Sequence, residues 1–136
     1  MNAPRILLIG RWSPFHNGHK ALVDSFLKVG KKVLIAIRDI EEKYPLFIRI
    51  AMIRAVYPVD EIVKIIVIPD IEGVAIGRDV GYYFVEVPED IKVISGTEIR
   101  AGKSMDVPKE VKPIIEAYEE VMNDDEEDWF LCGGSD

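Results

Sequence analysis

A chain of 136 residues, 49% of them hydrophobic, is long enough for one compact domain with its own core and too short for two of ordinary size. Its formal charge of −7 lies almost wholly in residues 123–136, which hold Asp124, Asp125, Glu126, Glu127, Asp128 and Asp136 with no lysine or arginine. There is no basic, aromatic-interleaved patch for nucleic acid, no membrane-spanning apolar run and no signal-peptide pattern, and Cys132 is the single cysteine, so a cytoplasmic protein with neither nucleic acid nor membrane as partner is expected.

In chain order, residues 6–9 form a short, uniformly apolar run that suits a buried parallel strand. Ala21, Leu22, Ser25, Phe26 and Val29 then recur at helical spacing, and Gly30 supplies the stop. Residues 32–37 read as a second buried strand, which completes a βαβ unit with a right-handed crossover. A charged loop to Pro45 leads into a helix with Ile48, Met52, Ala55 and Val56 on its inner face and Pro58 closing it. Residues 64–68 are a third strand, residues 69–81 loop and turn, residues 82–87 a fourth strand and residues 91–94 a fifth. From Val107 a last helix carries Val111, Ile114, Ile115, Tyr118, Val121 and Met122, with Pro113 either kinking it or opening its longer half.

Alternating strands and helices define an α/β fold with a doubly wound parallel sheet. A single domain over residues 1–122 is expected, followed by an aperiodic acidic tail over residues 123–136 that is flexible or loosely docked, in the latter case through Trp129 and Phe130. No internal repeat is present.

Two segments carry chemistry. Gly10-Arg11-Trp12-Ser13-Pro14-Phe15-His16-Asn17-Gly18-His19 links the first strand to the first helix. His16 and His19 share a helix face in the opening turn, where unpaired backbone N–H groups and the macrodipole favour an anion, and Gly18 permits close approach. A histidine pair on a short helix is more often a hydrogen-bonded structural feature than a site, and zinc is disfavoured because no third ligand is at hand. Ser95-Gly96-Thr97-Glu98-Ile99-Arg100 again follows an apolar run. Ser95 and Glu98 make a capping box, which needs no function, but Thr97 and Arg100 stand one turn apart on a face that suits a phosphate. Both segments belong at the carboxyl edge of a parallel sheet, where ligands bind.

These residues resemble the HxGH and ISxTxIR signatures of the nucleotidyltransferase superfamily, over about residues 5–122. The resemblance implies a Rossmann-like fold and transfer of a nucleoside monophosphate from an NTP to a small phosphorylated acceptor, with Mg²⁺ bound alongside the NTP and pyrophosphate released. It implies that His16, His19 and Arg100 are catalytic, that His16 and His19 meet the α- and β-phosphates, and that Thr97 and Arg100 meet the β- and γ-phosphates. Gly10, Arg11, Gly18 and Ser95 would help seat the nucleotide, and Gly77 and Arg78 would belong to a loop holding the base and a phosphate. Lys20 and Lys103 are weaker candidates, since a lysine on an open helix face is usually only solvated. Trp12, Tyr82 and Tyr83 could stack on a base, but aromatics so close to strands are more often core.

Arg11 after the strand glycine and the Ser-Gly-Thr-Glu-Ile-Arg segment are most similar to archaeal-type nicotinamide mononucleotide adenylyltransferases, which implies ATP as donor. Ser13 stands where a glutamine is usual, and the region between residues 76 and 95 is shortened. Two alternatives remain open: a cytidylyltransferase acting on a phosphorylated alcohol or sugar, and a non-catalytic nucleotide sensor. Homo-oligomers are common among similar enzymes, yet no residue pattern here maps an interface.

Overall fold

The computed structural model describes residues 4–77, 81–85, 96–102 and 104–133, with the backbone alone at residues 96–97 and 124–133. The elements run β1 (Arg5–Gly10), α1 (Asn17–Lys28), β2 (Lys32–Arg38), α2 (Leu46–Val56), β3 (Val63–Ile68), α3 (Gly96–Arg100) and α4 (Lys112–Gly133). The three strands form a parallel sheet in the order β1-β2-β3, with Ile9 beside Ala36 and Ala36 beside Ile66. This is a small, single-domain α/β fold of Rossmann-like kind, as the alternation of elements implies. The described strands wind one way; the expected fifth strand, residues 91–94, lies outside the described residues.

Strand polarity and side-chain alternation make one sheet face the core. Val33, Ile35 and Ile37 of β2 and Val63 of β3 are fully buried against Val23 of α1 and Met52 and Ile53 of α2. Ile99 of α3 and Val107, Val111 and Ile115 around the start of α4 join the same cluster, so the C-terminal elements are packed onto the βαβ unit. Helix α1 ends in a Schellman arrangement. The Lys31 N–H donates to the Phe26 carbonyl at 3.0 Å and the Gly30 N–H to the Leu27 carbonyl at 3.0 Å. Gly30 sits there at φ 81°, a conformation that a side chain would strain.

Three expectations need correction. Residues 82–85 form no strand, and Tyr82, Tyr83 and Phe84 are exposed. Their apolar, β-branched and aromatic character suits a strand, but strand formation needs a partner edge, which propensity does not supply. The inner face of α2 is Arg49, Met52 and Ile53, whereas Ala55 is exposed. Ile48 and Val56 pack on the same core partly buried, so Arg49 joins the expected face and only Ala55 leaves it. Finally, α4 is helical through Gly133, eleven residues past Met122, because Asp, Glu and Asn without proline or glycine do not stop a helix already nucleated. Pro113 occupies its first turn, where no N–H is needed.

Candidate active site

The loop from Arg11 to His16 leaves β1 at the carboxyl edge and is pinned by its own aromatics. Trp12 and Phe15 are buried, the Trp12 indole N–H donates to the Ala36 carbonyl at 3.2 Å, and Phe15 meets Tyr57 edge-on at 5.8 Å. Trp12 adopts φ 55°, which costs a bulky residue about 1–3 kcal/mol and persists because burial of the indole over-determines it. The indole lies over Gly10, where an added Cβ would meet it at 3.4 Å. Trp12 is therefore core and not an open stacking surface.

Arg49 holds the same loop from beneath. Fully buried on α2, it donates through Nε to the Tyr44 carbonyl at 2.9 Å, through Nη1 to the Arg11 and Arg38 carbonyls at 2.9 and 3.0 Å, and through Nη2 to the Ile40 carbonyl at 3.0 Å. One planar fork thus ties the β1–α1 loop to the β2–α2 loop. Burial lowers the affinity of this guanidinium for its proton, while Glu42 and Asp39 oppose that effect. Sequence reasoning missed Arg49; the available signal was a lone charge inside the apolar run Leu46-Phe47-Ile48-Arg49-Ile50.

His16 is the N-cap of α1 and forms a reciprocal box with His19. His16 Nδ1 accepts from the Gly18 and His19 N–H groups at 3.1 and 3.3 Å, and His19 Nδ1 accepts from the His16 N–H at 3.2 Å. The remaining first-turn amides are also taken: the Asn17 N–H donates to the Asp106 carbonyl at 3.0 Å and the Lys20 N–H to the His16 carbonyl at 3.0 Å. This revises the expectation of unpaired amides awaiting an anion, because side chains and the 102–107 loop already satisfy them. Anion binding at this end must come from side chains.

The hydrogen bonds also set the tautomers. A nitrogen that accepts from a backbone N–H carries no proton, so each neutral ring holds its proton on Nε2 and offers a donor there. Burial holds the His16 pKa down at about 4, with Asp106 raising it and Arg100 lowering it in smaller measure. Burial also holds His19 well below its ordinary value, helped by His16 and opposed by the Pro14 carbonyl. The rings stack at 3.7 Å between centroids, an arrangement that two neutral imidazoles tolerate and two cations do not.

The second motif reaches the first through Arg100. Ile99 is buried in the core, which fixes α3, and the next residue, Arg100, donates from Nη1 to the Ser13 carbonyl. Between them lies a cavity of about 140 Å³ bordered by Arg11, Ser13, His16, His19 and Arg100. That is well below the roughly 300 Å³ of the smallest small-molecule pockets, so it suits phosphate groups and not a whole nucleotide. A second cavity, of about 510 Å³, adjoins it across Arg100 and is bordered by Lys43, Gly102, Tyr118 and Met122. Arg11 is half exposed and stands 3.8 Å from Glu42.

Of the other anticipated residues, Gly10 lies under the indole, and Gly18 is buried in the first turn of α1. Gly77 is exposed and does not border the cavity. Thr97 is described by its backbone in α3 only, while Arg78, Ser95 and Lys103 lie outside the described residues. Lys20 pairs with Asp24 at 2.7 Å, which is the solvated helix-face role. The Asn17 amide, which donates to Asp106 Oδ1 at 2.6 Å, is a cross-link the sequence did not reveal.

In this parallel α/β protein a paired-histidine helix cap after the first strand and an arginine from a later helix border one phosphate-sized cavity. The chain matches the cytidylyltransferase-like family model over residues 7–133, and it belongs to that family, within the nucleotidyltransferase superfamily. No curated protein and no solved structure matches it. Among the described residues no helix is long and apolar enough to cross a membrane.

Proposed function

We propose that this chain transfers AMP from ATP to a small phosphorylated acceptor such as nicotinamide mononucleotide. An acceptor phosphate oxygen attacks the α-phosphorus, the bond to the bridging oxygen of the β-phosphate breaks, and pyrophosphate leaves with that electron pair. The observation that carries this reading is the meeting of the two motifs, with Arg100 donating to the Ser13 carbonyl beside the stacked His16 and His19. An anionic acceptor needs no general base, so the residues have only to align two phosphates and stabilise developing charge. The cations Arg11 and Arg100 and two neutral Nε2–H donors suit that work, and Thr97 is assigned to the β- and γ-phosphates by the family pattern.

Among the described residues no group of three or more histidines, cysteines and carboxylates is placed to hold a metal ion. Mg²⁺ is accordingly assigned to the triphosphate, whose oxygens are its usual ligands, where it would neutralise phosphate charge. The cytoplasm is the compartment proposed.

The adenylyl assignment rests on the resemblance of Arg11 and the 95–100 segment to archaeal-type nicotinamide mononucleotide adenylyltransferases. The family match favours a second reading, cytidylyl transfer to a phosphorylated alcohol or sugar. Pyrophosphate release measured over ATP, CTP, GTP and UTP against nicotinamide mononucleotide, pantetheine phosphate, glycerol phosphate, phosphocholine and sugar phosphates separates them. Turnover with ATP and nicotinamide mononucleotide that His19→Ala lowers by about 10²–10³ is expected. A preference for CTP establishes the second reading, and nucleotide binding without turnover points to a sensor.

A further inference from the structure

Ser13 is 2% exposed, and its Oγ is buried with no hydrogen-bond partner among the described residues. Everything around it is otherwise committed. Its carbonyl accepts from Arg100, Trp12 before it is hydrogen-bonded to Ala36, and Arg49 holds the Arg11 carbonyl. A buried hydroxyl left without a partner is costly, and folds that retain one generally have a use for it. The space that Ser13 borders is the 140 Å³ cavity, whose other borders are Arg11, Trp12, Pro14, His16, His19 and Arg100. A phosphate oxygen there can accept from the Arg11 and Arg100 guanidinium groups and from the His16 Nε2–H.

We propose that the Ser13 hydroxyl, covered in this structure, turns about χ1 into the cavity as a substrate-contacting donor and completes the cavity's grip on a polyphosphate oxygen. This rests on the phosphate-binding reading of the site, and not on which base or acceptor is used. The backbone bend at Trp12 and the bonds to the Ser13 and Arg11 carbonyls fix the residue's backbone in place, so engaging a ligand asks for one side-chain rotation and little other entropy.

The test compares the full-length chain with Ser13→Ala and Ser13→Cys, the latter keeping a side chain of similar size without a strong donor. Three quantities are read: the thermal midpoint alone, its rise with inorganic tripolyphosphate, and KM and kcat for the nucleotide. Both variants should unfold at or above the wild-type midpoint, because an unpartnered hydroxyl has been removed. Both should show a smaller tripolyphosphate-induced rise and a KM raised about tenfold or more, the effect of one hydrogen bond to a charged oxygen of about 1.5–3 kcal/mol. If Ser13→Ala fails to fold, Ser13→Cys carries the comparison. Variants that bind tripolyphosphate as tightly as the wild type overturn the inference, as does a wild type that does not bind it. Weakened binding in the variants, with no pyrophosphate release from any of the proteins, keeps the Ser13 assignment and rejects the proposed reaction.

Discussion

His16 and His19 each close the end of α1 through Nδ1, and the His16 Nε2 is left to donate, whereas the His19 ring also donates to the Pro14 carbonyl. The two roles separate experimentally. Asparagine is a strong N-cap residue, so His16→Asn should hold the thermal midpoint close to wild type while removing the outer donor and lowering turnover by about 10²–10³. Equal turnover would remove His16 from the chemistry. The lowered His16 pKa also makes a stability prediction. The unfolded chain binds this proton at about 6.5 and the fold resists it to about 4, so the unfolded state takes up more protons between those values. Stability should therefore be fully present above pH 6.5 and fall towards pH 4, by about 3 kcal/mol, in urea titrations at successive pH values. His16→Asn should flatten that slope.

Among elements, the loops matter more than the helices, and Arg49 is their joint. Replacing it with methionine leaves four carbonyls from two loops without their donor, and Lys, a single-point cation, cannot restore the fork. Arg49→Met should cost about 3 kcal/mol or more in urea unfolding, with Arg49→Lys recovering only part of it. Unchanged stability would mean that water replaces the fork. The boundaries of β1, β2, β3 and α1 were legible within one to four residues because apolar run length, helical spacing and Gly30 act locally. Arg100 does reach the Ser13 carbonyl, while the apolar run expected to deliver the second motif lies outside the described residues. Arg49 and the Asn17–Asp106 link were not legible, because a charge reads as solvated until the fold supplies carbonyls to surround it. The saturated amides of α1 were equally hidden: periodicity locates a helix end but does not say what caps it.

At the scale of the whole molecule, one core joins both ends of the chain, from Phe15 and Val23 to Ile99, Val111 and Ile115. Val121 and Met122 of α4 are already about half exposed. Truncation after Met122 should accordingly shift the thermal midpoint by less than about 3 °C, the scale of a surface change near 0.5 kcal/mol. A larger loss would show that Trp129 and Phe130 dock on the body. Most of the negative charge goes with this truncation, so the same variant should bind polyphosphate at least as well at low salt.

The reciprocal closure of α1 by its two imidazoles has an evolutionary corollary. A lineage that abandoned catalysis would still need a side chain that caps the first helix at each of these positions, a task the two histidines already perform. Selection for folding alone can thus preserve the two-histidine signature in a descendant that no longer turns anything over. In this architecture the signature reports ancestry, and a working enzyme has to be recognised by the groups that face the cavity without holding up the helix, which here are Arg11, Ser13 and Arg100.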